Sequence, residues 1–347
     1  MKVLIYTHCF YPEHLSALSK RMGDLARELV RAGYQVTILT AFPNHPYGTV
    51  YPGYGGSLMR EEEWEKGVRI LRCWSYVRPF ERGLTRVLNQ VTLMASMLTL
   101  GGWRLRGYRA DVVVGISPPL TAALAGALTA KVRRVPFVLD VQDLWPEEAV
   151  AVGGVRSPVV VRVATAVARF LYRNSARTVV ISEGFARAIT AQGGAAAALR
   201  VLPNWVREEA FAVRVPARLP GTGFKVLFAG TMGLAQGLEV AIEAAERLAK
   251  RGVSFIFVGE GVEKERLRDE ALRRRLANVY FLPAVAQEQL PAVLAAADAL
   301  LVHLRPDEVF EKVIPSKTYE YLAAGRPILM GVSGEAARLV KGVGRPA

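Results

Sequence analysis

Between Glu311 and Leu329 the chain reads Glu-Lys-Val-Ile-Pro-Ser-Lys-Thr-Tyr-Glu-Tyr-Leu-Ala-Ala-Gly-Arg-Pro-Ile-Leu, which sets three kinds of polar group close together. The corner Pro315-Ser316-Lys317 predicts a helix start. The Ala-Ala-Gly-Arg-Pro run predicts its stop, ahead of an apolar strand. Amides in the first turn of a helix lack intrahelical acceptors and lie at the positive end of the dipole, so they bind phosphate. Glu320 follows Lys317 by three residues and projects from about the same face. A cation and free amides suit a diphosphate, and a carboxylate beside them suits a ribose diol. Together they are the parts of a nucleotide-sugar site. The ordinary alternative is a capped helix with a surface Lys–Glu pair.

These residues need a frame, and the rest of the chain supplies one. Strands are predicted at Val3–Thr7, Gln35–Thr40, Val68–Cys73, Asp111–Ile116, Phe137–Asp140, Thr178–Ile181 and Arg200–Leu202, with helices at Ser16–Ala32, Thr121–Lys131 and Ser157–Asn174 between them. The pattern breaks into Pro, Arg and Gly over residues 206–222 and then restarts. Strands follow at Lys225–Ala229, Ser254–Val258, Val279–Leu282, Ala299–Leu304 and Ile328–Gly331, with helices at Leu238–Arg251, Gln287–Ala297 and Ser316–Ala324. Alternating strands and helices imply parallel sheets covered on both faces. The expectation is an α/β protein of two doubly wound domains, 1–205 and 223–347, joined by a linker. Ligands of such sheets bind at the carboxyl ends of the strands. The chain stops at Gly344-Arg-Pro-Ala347, soon after a strand and a short helix, so the second domain is expected to be incomplete at its C-terminus.

The composition narrows the partners. Cys9 and Cys73 are the two cysteines, which argues against a disulfide framework and for a reducing compartment. Of the net charge of +14, residues 1–205 carry +11, from 25 Lys and Arg against 14 Asp and Glu. Such a basic half suits phosphorylated substrates or anionic lipid. No zinc-finger spacing or RNP-like aromatic pattern marks a nucleic-acid reader. Residues 84–105 are largely apolar, with Arg82, Arg86, Arg104 and Arg106 at their ends. The polar residues within them argue against a membrane span. A buried core helix and a helix lying in the membrane interface are the two readings left. No His/Cys/Asp/Glu cluster has metal-ligand spacing.

Eight short motifs recur in order: Phe10-Tyr-Pro-Glu13, Phe42-Pro-Asn-His-Pro46, Asp143-Leu-Trp-Pro-Glu147, Ile181-Ser-Glu-Gly-Phe185, Pro203-Asn204, Gly233-Leu-Ala-Gln-Gly-Leu238, Val258-Gly-Glu-Gly261 and Pro315-Ser-Lys317 with Glu320-Tyr-Leu-Ala-Ala-Gly325. In these the chain resembles glycosyltransferase family 4, the retaining nucleotide-sugar transferases of the GT-B fold. It is most similar to the branch used in colanic-acid, O-antigen and capsule assembly, and to the L-fucosamine transferases within it. The resemblance implies two Rossmann-like domains facing across a cleft, with the donor held by the second and the acceptor by the first. It implies Glu320 on the ribose hydroxyls, the amides of Ser316 and Lys317 on the diphosphate, and Gly230 to Gly233 as a close backbone approach. Val285 would sit near the base, with Glu260 and Gly261 along the same wall.

Departures from the family pattern matter as much. The family's first glutamate falls on Lys312, with Glu311 one position earlier. Either Glu311 takes the sugar-contacting role or Lys312 serves the diphosphate. The usual arginine and lysine after the first strand of the second domain read Thr231 or Met232 and Gln236, which leaves Lys317, Lys312 or Arg305 as the candidates to replace them. In the first domain a His-Asp pair reads Gln142-Asp143. Asp143 would orient acceptor or sugar, or else serve as a turn carboxylate. Glu13 is a catalytic or acceptor-binding candidate, or a helix-start carboxylate. His45 and Asn44 are candidate acceptor contacts, or structural loop residues. His8 and His14 are weaker candidates, and His303 reads as a packed residue. The implied enzyme is cytoplasmic and peripheral on the inner face of the plasma membrane. It takes a nucleotide-sugar donor and a lipid-linked sugar acceptor, meets an anionic membrane surface, uses no cofactor or metal and binds no nucleic acid.

Overall fold

The computed structural model describes residues 1–343 apart from 14–15, 46–47, 79–82, 156 and 213–214. His14, Pro46 and Arg82 therefore lie outside the described residues. The chain divides into two compact units, Met1–Pro203 and Asn204–Ala347.

Among its described residues the first unit holds eight strands: β1 (Lys2–Tyr6), β2 (Gln35–Ala41), β3 (Met59–Trp64), β4 (Val68–Cys73), β5 (Val112–Ser117), β6 (Phe137–Val141), β7 (Arg177–Val180) and β8 (Leu199–Val201). They form one sheet in the order β3-β4-β2-β1-β5-β6-β7-β8. All are parallel except β3, which runs antiparallel to β4. Strands buried on both faces read as continuous apolar runs, as Val-Leu-Ile-Tyr of β1 does. On one face Val3, Ile5, Val36, Ile38 and Ile116 pack with Met22 and Ala26 of helix Ala17–Arg31. On the other, the Tyr6 hydroxyl meets Thr129 of helix Leu120–Arg133 at 2.9 Å. The sheet order reverses at β1, whose neighbours are β2 and β5, so the loops leaving these strands open a crevice there.

Two elements differ from expectation. Strand β3 carries Glu61, Glu62 and Glu63 and lacks a strand-like apolar alternation. It forms because β4 supplies arginines: Arg69 Nε donates to Glu61 at 2.6 Å, and Arg72 Nε to Glu62 at 2.6 Å. The apolar stretch 84–105 is not one regular helix. It runs as α-helix Gly83–Ser96, a π-helical turn Met97–Gly101 and a last turn Gly102–Arg104. Leu93, Met97 and Leu105 are buried, while Val87, Leu88, Val91 and Trp103 are exposed. Among the described residues, no helix is long and apolar enough to cross a membrane.

Among its described residues the second unit holds five parallel strands, β9 (Phe224–Ala229), β10 (Val253–Val258), β11 (Val279–Leu282), β12 (Ala299–His303) and β13 (Ile328–Gly331), in the order β11-β10-β9-β12-β13. Phe228 and Phe257 lie in the core on one face, and Leu227, Val302 and Tyr321 in that on the other. Part of the 206–222 segment belongs to this unit. Phe211, Ala217 and Leu219 pack against its second core, and the Ala217 amide donates to Ala292 O at 2.9 Å. Helix Lys264–Arg273, which the sequence reading passed over, covers the other face through Leu267 and Ala271.

Candidate active site

In the second unit the site builds from the exits of β9 and β10. Gly230 follows β9 at φ +135° and donates its amide to Val258 O at 2.9 Å. Gly259 and Gly261 follow β10 at φ +141° and +154°. A Cβ on Gly259 would strike the carbonyl of Gly230, and one on Gly261 that of Met232. Met232 N donates to Glu260 O at 2.8 Å, and Glu263 N to Met232 O at 3.0 Å. The two loops thus lie backbone against backbone, which only glycine permits.

Helix Ser316–Ala323 starts beside them. Pro315 occupies its cap position and gives no side-chain cap, so the first amides remain available to an outside acceptor. Lys317 Nζ is buried and has no hydrogen-bond partner among the described residues. It lies 3.5 Å from the centroid of the Phe228 ring, and a Cβ on Gly230 would sit 3.1 Å from it. The ring face offers the ammonium only a weak cation–π attraction. Burial brings the Lys317 pKa down from 10.5 to about 7, with Glu320 pulling the other way. Tyr321, fully buried, receives the Ala229 N–H at 2.8 Å and donates to Ala229 O at 3.2 Å.

The remaining candidates of this unit divide. Ser316 is exposed at the helix start and Glu320 half-buried one turn on. Gln236 does not reach out as the absent lysine would. Its side chain turns back to accept from Gly233 N at 2.9 Å, and its carbonyl meets His303 Nδ1 at 2.6 Å. Arg305 donates to Glu239 at 3.0 Å and is therefore already paired. Glu311 and Lys312 sit on the 3-10 turn Phe310–Lys312, where Glu311 accepts from Ser333 Oγ at 3.1 Å. Glu260 accepts from Lys264 Nζ at 2.8 Å, and Lys264 also reaches Gly259 O at 2.9 Å and Leu282 O at 3.2 Å. Val285 packs on the second core. Sequence reasoning missed Lys264, Phe228 and Tyr321. The i,i+4 spacing of Glu260 and Lys264 was a usable signal for the first.

In the first unit, Glu13 is buried and its carboxylate faces backbone. Oε1 accepts from the amides of Asn44 and His45, each at 2.8 Å, and Oε2 from Phe10 N at 3.1 Å. Glu13 thus ties the loop after β1 to the loop after β2. The structure gives it a loop-holding place rather than an open one for catalysis. Asn44 is buried and donates to Phe42 O at 2.8 Å. Burial pushes the His45 pKa down, against the pull of Glu13. His8 is lowered to about 4, again by burial first, and holds a hydrogen bond to the Pro118 backbone, while its buried Nδ1 has no partner among the described residues.

Asp143 and Glu148 follow β6. Burial raises Asp143 to about 6, and burial together with the Asp143 charge raises Glu148 well above the carboxylate range. Glu148 accepts from Leu144 N at 2.7 Å. Beside them Arg21 Nε meets buried Asp140 at 3.4 Å, and Gln142 donates to the same carboxylate. Among the described residues, no group of three or more His, Cys, Asp or Glu side chains is placed to hold a metal ion.

Two doubly wound units, each with candidate groups at the carboxyl edge of its sheet, are the architecture of the GT-B fold. Residues 16–205 match the model of the glycosyl transferase 4-like domain, and residues 223–344 that of glycosyl transferases group 1. The chain belongs to glycosyltransferase family 4, in its surface-polysaccharide branch. It is 30% identical over 338 residues to the putative colanic acid biosynthesis glycosyl transferase WcaI of Escherichia coli K12, covering 94% of this chain and 82% of that protein. It is 26% identical to the probable glycosyltransferase WbjE of Pseudomonas aeruginosa, over 77% of this chain and 68% of that one. Among solved structures, a sucrose-phosphate synthase from Thermosynechococcus elongatus shares the fold at TM-score 0.72 and 16% identity, over 96% of this chain and 81% of that one. Anabaena HepE, in complex with UDP-glucose, shares it at TM-score 0.66 and 18% identity, over 98% and 82%.

Proposed function

We propose that this glycosyltransferase moves a sugar, with retention, from a nucleotide-sugar donor of the UDP type to a lipid-diphosphate-linked sugar at the inner face of the plasma membrane. The observation that carries the donor half is Lys317: a buried ammonium without an acceptor, at a helix start and against Gly230. A diphosphate supplies the missing acceptors. The amides of Ser316 and Lys317 add to the ammonium, and the leaving diphosphate is stabilised where its charge develops. Glu320 takes the ribose hydroxyls. HepE, which shares the fold, was solved with UDP-glucose, and this supports the choice of UDP.

In the first unit, Asp143 orients the acceptor, and the acceptor proton passes to the donor's own phosphate. No strong enzymic base is then required, which fits a Glu13 whose oxygens are taken by amides. On this reading the transfer needs no metal. The acceptor half rests on the +11 balance of residues 1–205 and on exposed Val87, Leu88, Val91 and Trp103 beside exposed Arg86, Arg104 and Arg106. An apolar helix face edged with arginine suits an anionic membrane surface.

Calorimetry with UDP tests the donor half. Glu320→Gln keeps the shape and removes the charge, so UDP affinity should fall about 10-fold or more. Unchanged binding takes Glu320 out of the site. Liposome sedimentation tests the acceptor half. Binding should need anionic lipid and weaken at high salt. Equal recovery in the soluble fraction with and without such vesicles favours a soluble acceptor.

A further inference from the structure

Strand β9 is paired on both sides only part of the way. Toward β10 the ladder runs to Ala229 opposite Val258. Toward β12 it is formed at Val226 and Leu227. Beyond that point Ala229 would turn a bare N–H and C=O toward the gap, because both groups of one strand residue point to the same edge. Ala229 is buried, so bare groups would be costly. The hydroxyl of Tyr321 fills the gap by accepting the N–H at 2.8 Å and donating to the C=O at 3.2 Å. Tyr321 lies on the helix that carries Lys317 and Glu320, four residues past Lys317. The next residue after Ala229 is Gly230, against which Lys317 lies.

We propose that Tyr321 is a positioning residue for the diphosphate subsite: its hydroxyl locks the exit of β9 to the donor helix, so that Gly230 and Lys317 keep one spacing. The side chain touches no part of the donor. It acts through Ala229 and Gly230 on the phosphate-facing groups. The proposal rests on the donor reading given above, and its test separates the two.

Tyr321→Phe keeps the ring in the core and removes only the hydroxyl. Kd for UDP should rise about 10-fold, while Kd for uridine, which lacks the phosphates, stays within about 2-fold. A purely structural hydroxyl would lower the melting temperature and leave the UDP to uridine ratio as it was, and that result overturns the proposal. Lys317→Met should weaken UDP binding more. The double variant should bind UDP no more weakly than Lys317→Met alone, because the hydroxyl acts through the lysine's position. Independent, additive losses count against the proposal. If Lys317→Met leaves UDP binding intact, the donor reading itself fails. A measurement on the unaltered protein covers the case of a Phe variant that does not fold. The Ala229 amide should exchange its hydrogen as slowly as that of Leu227, and exchange at a loop rate shows that the hydroxyl does not hold it.

Discussion

Glu13 in the first unit and Lys317 in the second are both ionisable side chains placed inside the protein near the carboxyl edge of a parallel sheet. Glu13 receives three backbone amides within 3.1 Å. Lys317 Nζ receives an aromatic face and nothing that accepts a hydrogen bond. A buried charge with its bonds complete is part of the scaffold. On the reading proposed above, the one with its bonds missing is completed by a ligand. Residue type placed both side chains among the site candidates, and hydrogen-bond completeness separates them.

The sharpest way to break this contrast is to remove each charge and follow stability and binding together. Glu13→Ala strands three buried amides and should cost about 3 kcal/mol or more of folding stability in denaturant titration. UDP affinity of the folded protein should stay the same. Lys317→Met should do the reverse. UDP affinity should drop by about 10- to 100-fold, from the loss of roughly 1.5–3 kcal/mol of charged hydrogen bonding, while the melting temperature rises. A Lys317→Met variant that melts lower than the parent would show the lysine to be a support after all.

The pH dependence of UDP binding sharpens the contrast at a smaller scale. Free Lys317 is half-protonated near pH 7, and a diphosphate selects the protonated form. Kd for UDP should therefore rise by up to about 10-fold per pH unit above 7, until the pKa of the complex is reached. The terminal phosphate of UDP is already ionised in that window. Lys317→Met should give a flat profile in calorimetry between pH 7 and 9. For folding the sign is the usual one for a depressed amine. The unfolded chain holds the extra proton between about 7 and 10.5, so stability rises with pH across that range.

The smallest effect belongs to Asp143. Its folded pKa is raised to about 6. The stability linked to its proton is whole below the ordinary carboxylate range and lost as pH rises through 6. Asparagine stays neutral throughout. Thermal melts of Asp143→Asn should thus gain a few degrees at pH 7.5 and nothing at pH 4.5. If Asp143 orients the acceptor, that variant should also transfer sugar more slowly with UDP affinity unchanged.

The sheets were legible in the sequence because their strands are buried on both faces and read as apolar runs. Val68–Cys73 and Val279–Leu282 match the observed strands residue for residue. Strand β3 was not legible. Its pairing depends on Arg69 and Arg72 of the next strand, and a charged edge looks like a loop when read alone. Helix Lys264–Arg273 hid for a related reason, since only Leu267 and Ala271 of it are buried. Ser316, Lys317 and Glu320 could be put forward together as candidates because they are close in sequence. The hydroxyl of Tyr321 was not, because its partner lies 92 residues away. Arg305 looked like a substitute for the missing cations, yet Glu239 already engages it, and Gln236, which stands where one of those cations is absent, turns back to Gly233.

The backbone contact between the loops after β9 and β10 bears on how such an enzyme can diversify. Every single-base change in a glycine codon that yields another amino acid adds at least a Cβ. At Gly259 and Gly261 that atom meets a carbonyl that cannot rotate away. Selection acting one mutation at a time is therefore closed at these two sites. New donor preference in a laboratory evolution experiment should accumulate instead at neighbours with room to vary. Val262, 77% exposed just past the second glycine, is the first place to look.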